Sequence, residues 1–392
     1  MFGSLSTDDF IRENWQEVPL FVRNALPNVA GLIDGDELAG IACESDADAR
    51  IITVHNDEYR CEHGPFEESR FAALPDSDWT LLVQSVDQWV PSVATLLERF
   101  DFLPRWRLDD IMISVSAEGG GVGPHFDYYD VFLIQASGAR DWRIGQHCDE
   151  RTPLRNNPDL RLLQTFEPRA EHRSCAGDLL YLPAGCAHWG IARGDHCITI
   201  SVGFRAPSHR DLMLGAAERL ADRLPENRRY RDSEKSIDDD PYLVNSHALE
   251  QLLEAWPEPA SIATRNALMH ALGTQSTEPR NPENIEAEKT WPTAAGEKWL
   301  ARVGALRIEH HRASRCAWQL RNDDEESTAL LFVNGEHYET TAEFARGLCH
   351  GRLSARDLKE PRERNILLTL LNSGSIEIQL VGSEQNPHSH EF

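Results

Sequence analysis

Up to about Pro207, apolar positions fall in short alternating or continuous runs, each closed by Gly, Pro or Asp, as expected for many short strands. The pattern predicts strands over Pro19–Arg23, Trp79–Val83, Asp110–Ser116, Val131–Gln135, Arg140–Gly145, Gly177–Pro183 and Cys197–Phe204. Short helices are predicted over Asp8–Asn14 and Pro91–Phe100. Strands this closely spaced predict an antiparallel barrel or sandwich rather than alternating βαβ units. After Pro207 the period changes. Leu212, Ala216, Leu220 and Leu224 share one helical face, and Leu249, Leu252 and Leu253 share another within Ser246–Trp256. The polar stretch Thr274–Lys289 reads as a linker or exposed loop. The last block combines a strand over Leu330–Val333, a turn at Asn334–Gly335, helices over Thr341–Cys349 and Glu363–Leu371, and a strand over Ser375–Leu380. Helices followed by a terminal hairpin-like pair predict a small winged-helix-like domain.

At about 100 to 200 residues per domain, 392 residues suggest two or three domains. The shifts in pattern divide the chain into a β-rich part (1–206), a helical segment (207–296) and the winged-helix-like block (297–392). With 39 Lys and Arg against 64 Asp and Glu, the formal charge is -25. Such an excess repels nucleic acid and suits a basic protein partner. From Leu300 to Phe392 there are 11 Lys and Arg against 14 Asp and Glu. A winged helix without a basic face reads as a docking module, with no DNA partner. The eight cysteines form no CxxC pair and read as reduced thiols of a cytoplasmic protein. The opening MFGSLSTDDFIRENW lacks the pattern of an export signal, and no apolar run reaches the roughly 18 residues of a membrane span.

Two segments carry candidate chemistry. Gly119-Gly120-Gly121-Val122-Gly123-Pro124-His125-Phe126-Asp127 is a glycine-rich turn delivering a His-x-Asp pair. Gly177-Asp178-Leu179-Leu180-Tyr181-Leu182-Pro183 is a strand leading to His188, 63 positions beyond His125. Alternate side chains of a strand share a face, so His125 and Asp127 can both turn into a barrel. A lone His-x-Asp arises readily by chance, and His188 by itself could be a loop histidine bonded to backbone. Together, each beside a strand and in this order, they predict the two-His, one-carboxylate facial triad of non-heme Fe(II) oxygenases, with positions left open for co-substrate and O2.

The run from about residue 8 to 206, with NWQEVPLFVRNAL, GGGVGPHFDYYDVFLIQ, a Gly-x-Arg-x-Trp strand, GDLLYLPAGCAHWG and SVGFRAP, resembles the JmjC-type bacterial ribosomal oxygenases, and the later segments match that family's layout. The resemblance implies a double-stranded β-helix (cupin) fold followed by a helical dimerisation segment and a winged-helix-like domain. It also implies a 2-oxoglutarate-dependent hydroxylase acting on an arginyl residue of a basic protein, number sixteen, of the large ribosomal subunit. On the residues themselves, the Leu and Trp at helical spacing on the charged middle segment read as the interface of a homodimer, with packing inside the monomer as the alternative. His125, Asp127 and His188 would hold Fe(II).

Beside that resemblance, Arg140 alternates with Asp141 and can point inward next to Trp142, where a planar guanidinium would match the distal carboxylate of 2-oxoglutarate. On residues alone, GARDWR could equally be a charged surface strand. Ser114 and Ser116, and Cys197, Thr199 and Ser201, put small polar groups on one face of their strands. Ser114 is a candidate second donor to 2-oxoglutarate, with Ser201 and Thr199 behind it. Glu118, Tyr128, Tyr129 and Asp130 flank the metal pair and could receive a substrate guanidinium, or could be solvated loop residues. Two other readings remain open here: a JmjC hydroxylase or demethylase with a histidyl or methyl-lysyl target, and a non-catalytic cupin regulator that senses a ligand.

Overall fold

The computed structural model describes residues 1–227, 229, 253, 256–287, 290–292, 296, 298, 300, 305–321, 328–354, 357–358 and 360–380. The chain forms two compact units, Met1–Ala206 and Pro207–Phe392. No helix among the described residues is long and apolar enough to cross a membrane.

The first unit contains β1 (Leu20–Val22), β2 (Ala49–His55), β3 (Glu58–His63), β4 (Trp79–Val83), β5 (Leu108–Ser116), β6 (Asp130–His147), β7 (Ala170–Cys175), β8 (Leu179–Leu182) and β9 (Cys186–Phe204). They pair in the order β1-β8-β6-β9-β5-β4-β2-β3, with β7 also on β6. The two strands predicted over Val131–Gln135 and Arg140–Gly145 are one bent strand, β6, and β9 extends back from the predicted Cys197 to Cys186. Register breaks between Gln135 and Ala139 bend this antiparallel pair. As a result, the first part of β6 pairs with β8 and the end of β9, whereas its second part pairs with β7 and the start of β9. This is the doubled-over barrel of the cupin architecture.

Strand alternation sorts the two faces. Ile111, Ile113 and Val115 join Phe132, Ile134, Tyr181, Ile198, Ile200, Val202 and Phe204 in the main core. That core is closed over by Phe10 of the helix Thr7–Glu13, whose ring meets Tyr181 edge-on at 5.1 Å. The other face of the same strands buries Thr80, Ser114, Ser116, Gln135, Thr199 and Ser201. Buried hydroxyls and amides need partners, so this second face is built to surround polar groups. Pro91–Phe100 is less regular than its pattern predicts: one α-helical turn, Pro91–Ala94, continues as 3-10 helix over Thr95–Phe100.

In the second unit the helices His209–Ala221 and Ile262–Thr277 pack through Ala216, Ala267 and Ala271. The expected helix over Ser246–Trp256 lies mostly outside the described residues. The supposed loop beginning at Thr274 is helical through Thr277, because tertiary contacts hold it: Thr277 Oγ1 donates to Gly273 O and accepts from the N–H of Gly335. The strands β10 (Ala305–His310), β11 (Cys316–Leu320), β12 (Thr328–Val333), β13 (Glu336–Thr341), β14 (Arg352–Ser354) and β15 (Ile376–Leu380) form two three-stranded sheets. The Asn334–Gly335 turn joins β12 to β13 as predicted. The terminal strands are not a hairpin, since β14 and β15 both pair with β10 on opposite edges. The helices Ala342–Cys349 and Pro361–Asn372 supply Phe344, Leu348, Leu367 and Leu370 to this core.

Candidate active site

The glycine-rich turn leaves β5 and runs back along the start of β9. Gly119 N–H donates to Ala192 O (3.0 Å) and Ala192 N–H to Gly120 O (2.9 Å), and His125 and His188 exchange backbone bonds at 3.0 and 2.8 Å. The approach is so close that a Cβ on Gly121 would sit 2.3 Å from Gly190 O, which no side chain tolerates. Gly185 N–H donates to Asp127 O at 2.7 Å, tying the second half of the motif to the first. Backbone bonds thus bring His188 beside a His125–Asp127 pair that lies about 60 positions earlier in the chain.

His125, Asp127 and His188 are the one group of metal-ligating side chains that converges among the described residues, with ligand atoms all within 4.8 Å of one another. Asp127 Oδ2 lies 3.9 Å from His125 Nε2 and 3.7 Å from His188 Nε2, and the imidazole centroids are 4.2 Å apart. Nδ1 of His125 faces Gly123 O and Nδ1 of His188 faces Cys186 O, each at 2.9 Å. A carbonyl accepts only from N–H, so both Nδ1 atoms carry the proton and both Nε2 lone pairs point to the shared centre. Burial, with the second imidazole beside it, pushes His188 down to about 4. Its imidazole is therefore neutral at neutral pH, the form a metal would need. Two nitrogens and one oxygen from one side suit a first-row divalent ion with open positions opposite.

Arg140 lies on β6, 4% exposed, inside the barrel. Its Nε donates to Thr199 Oγ1 (3.0 Å) and one terminal nitrogen donates to Ser116 Oγ (2.8 Å). Thr199 in turn donates to Gln135 Oε1, which also receives the Ser174 hydroxyl, and Ser116 meets Thr80. No carboxylate pairs with this guanidinium among the described residues. A buried cation held by neutral hydroxyls and an aromatic face is costly unless an anion joins it, and a dicarboxylate co-substrate meets that need. Ser114 stands opposite Thr199 in the ladder, and Ser201 lies between Met112 and Leu133 on the same face. The direct partners of Arg140 are thus Ser116 and Thr199; Gln135 was not anticipated, since cross-strand register cannot be read from one strand.

The flanking residues separate. Asp130 is fully buried and faces the main core, accepting hydrogen bonds from Tyr181 (2.7 Å), Arg107 (3.1 Å) and Gln16 (3.2 Å). Its expected role as a substrate contact is therefore corrected: it shares the parity of Phe132 and Ile134, which face the main core, and its carboxylate is committed inside the fold. Glu118 is exposed and receives Arg193 (3.0 Å) and the Gly194 N–H, which with Asp141 and Arg173 forms a surface charge network. Two arginines hold Asp141 at about 2, with Arg173 the larger influence. Tyr128 and Tyr129 are exposed; Arg161 lies over the Tyr128 ring at 4.9 Å, and Phe126 meets that ring edge-on at 5.2 Å.

A doubled-over barrel that brings two histidines and an aspartate together, and that buries an arginine with no carboxylate partner among the described residues, belongs to the cupin-type oxygenase class. Comparisons with known proteins narrow this. The JmjC domain family matches residues 95–212, and the ROXA-like winged helix family matches residues 260–377. The chain is 41% identical to the ribosomal protein uL16 3-hydroxylase of Escherichia coli over 226 residues, 56% of this chain and 58% of that protein. It is 36% identical to a probable ribosomal oxygenase of Haemophilus influenzae over 224 residues, 57% of this chain and 55% of that one. The aligned segments therefore span somewhat over half of these relatives. The structure of YcfD, a ribosomal oxygenase from Escherichia coli in complex with cobalt and 2-oxoglutarate, superposes with a TM-score of 0.78 at 31% identity, covering 96% of this chain and 99% of that one. The chain belongs to the JmjC-domain ribosomal oxygenase family.

Proposed function

We propose that the protein is an Fe(II)- and 2-oxoglutarate-dependent hydroxylase of an arginyl residue in a basic large-subunit ribosomal protein. The observation that carries this reading is the convergence of His125, Asp127 and His188 together with a buried guanidinium that pairs with no carboxylate among the described residues. His125, Asp127 and His188 would hold the iron, and Arg140 the distal carboxylate of 2-oxoglutarate, with Ser114 and Ser201 on the wall beside it. When bound, iron and 2-oxoglutarate supply the oxidation of a substrate C–H bond by O2, giving the alcohol, succinate and CO2. The chain's own contribution is to orient and to exclude water. The Nδ1 bonds to Gly123 and Cys186 fix both imidazole planes, while Ser116 and Thr199 fix the guanidinium fork. At the exposed rim Tyr128 and Tyr129 offer aromatic faces to a substrate cation. Glu118 would receive a substrate guanidinium by exchanging it for Arg193.

The three-part division supports an assembly role for the middle segment. Residues 1–206 form the catalytic cupin, 207–296 a helical dimerisation segment, and 297–392 the winged-helix-like domain, read as a substrate-docking module. Met213, Leu214, Leu224, Leu253, Trp256, Ile262, Leu268 and Met269 are all large, apolar and exposed within the middle segment. A second copy of the chain covers such a surface in a homodimer. The cysteines, unpaired throughout, and a ribosomal substrate suit the cytoplasm.

The test of the chemistry is succinate formation in the presence of a basic ribosomal protein. Asp127→Ala should abolish substrate-dependent succinate release while leaving far-UV circular dichroism unchanged. Retained turnover would remove the metal assignment.

A further inference from the structure

We propose that Trp142 is a positioning residue whose single indole ring sets both the co-substrate anchor and a metal ligand. This rests on the functional reading of Arg140 and His188 given above. The Arg140 guanidinium carbon lies 5.6 Å from the centroid of the Trp142 ring, within cation–π range, and the His188 imidazole is 6.1 Å from it at 50°. Arg140 and His188 have no direct bond to one another in the hydrogen-bond network, so the indole is a physical link between them.

The ring has little freedom of its own. Trp142 pairs with Gly190 in the β6–β9 ladder, and a Cβ at Gly190 would lie 2.5, 2.7 and 2.9 Å from three atoms of the six-membered ring. Glycine at 190 is thus the vacancy into which the indole fits. Val131, Leu133, Ile144, Leu180 and Leu182 pack with it in one apolar cluster, leaving Trp142 6% exposed. Ser116 and Thr199 restrain Arg140 by hydrogen bonds from strands β5 and β9, whereas Trp142 approaches it from β6 itself. The indole supplies a third restraint, and the same ring limits the tilt of His188.

A merely structural tryptophan would affect stability alone, whereas a shared support predicts a coupled change in two affinities. The test uses the full chain, with Co(II) as the metal probe read by its visible d–d bands and 2-oxoglutarate binding to the Co(II)-loaded protein read by calorimetry. Trp142→Leu should weaken both affinities about tenfold, the range found when groups supporting a metal ligand are removed. Trp142→Phe, which keeps a ring face, should recover most of both. Gly190→Ala keeps Trp142 but pushes its ring away, and should reproduce the double loss. Leu180→Ala, in the same cluster, should lower Tm and leave both affinities unchanged. Should Trp142→Leu fail to fold, Trp142→Phe and Gly190→Ala decide the matter. The proposal is overturned if Gly190→Ala and Trp142→Leu move Tm alone, or shift just one of the two affinities. Arg140→Ala binding 2-oxoglutarate as tightly as wild type would instead sink the functional reading beneath it.

Discussion

Arg140 shows how one side chain can announce a ligand. Its guanidinium is buried among hydroxyls rather than carboxylates, and a carboxylate bound there would be worth roughly 1.5–3 kcal/mol as a charge-assisted contact. Arg140→Ala should therefore raise the KM for 2-oxoglutarate by about 10- to 100-fold with little change in the Fe(II) requirement. Steady-state kinetics over both concentrations checks this, and an unchanged KM would place the anchor elsewhere. At this level the sequence was partly legible. His125, Asp127 and His188 stood out because two glycine-bearing turns delivered them at strand ends, and all three converge. Asp130 does not stand where its nearness to the metal pair suggests: it shares the parity of Phe132 and Ile134 in YYDVFLIQ and is buried on the main-core side. Ser116, Thr199 and Gln135 meet Arg140 or one another across strands, and which residues face each other depends on a register that no single strand encodes.

The strands themselves were recovered where apolar runs were dense, as at Trp79–Val83 and Leu179–Leu182. The hairpin of β2 and β3 was missed: Ile51 and Ile52 are buried on both faces, so β2 does not alternate cleanly, and β3 buries only Tyr59 between the exposed Glu58 and Arg60, too little to mark a strand. Nor could the bend that makes β6 one strand be read, since a bulge looks like a turn from composition alone. In the second unit, the helix Ile262–Thr277 carries His270, whose ring meets His337 at 4.7 Å and Phe332 at 5.8 Å and accepts from Arg219 at 3.0 Å. Burial first, then the Arg219 charge, push it down to about 4 from 6.5. Between those values the unfolded chain takes up a proton that the folded chain refuses. Stability is therefore full above about pH 6.5 and falls as pH drops toward 4, by on the order of 3 kcal/mol at most. Urea unfolding at pH 7 and pH 4.5 should show a smaller acid loss in His270→Gln than in wild type; equal losses would show that this imidazole does not titrate against the fold.

Charge and assembly belong to the whole molecule. A net charge of -25 favours encounter with a basic ribosomal protein over nucleic acid. The exposed apolar side chains concentrate in one segment, residues 213–269, and the sequence marked that segment by its leucine spacing but could not tell a dimer face from internal packing. Sedimentation should give a particle of two 44.3 kDa chains, and Met213→Glu with Leu214→Glu should shift it to one; a monomeric wild type would contradict the assembly. The catalytic claim has a more direct test in intact-mass spectrometry of purified large-subunit ribosomal proteins incubated with the protein, Fe(II) and 2-oxoglutarate. The account predicts the gain of one oxygen on a single basic species, located by fragmentation to an arginine and absent with Asp127→Ala. No mass gain on any ribosomal protein, or an equal gain with the variant, would contradict it.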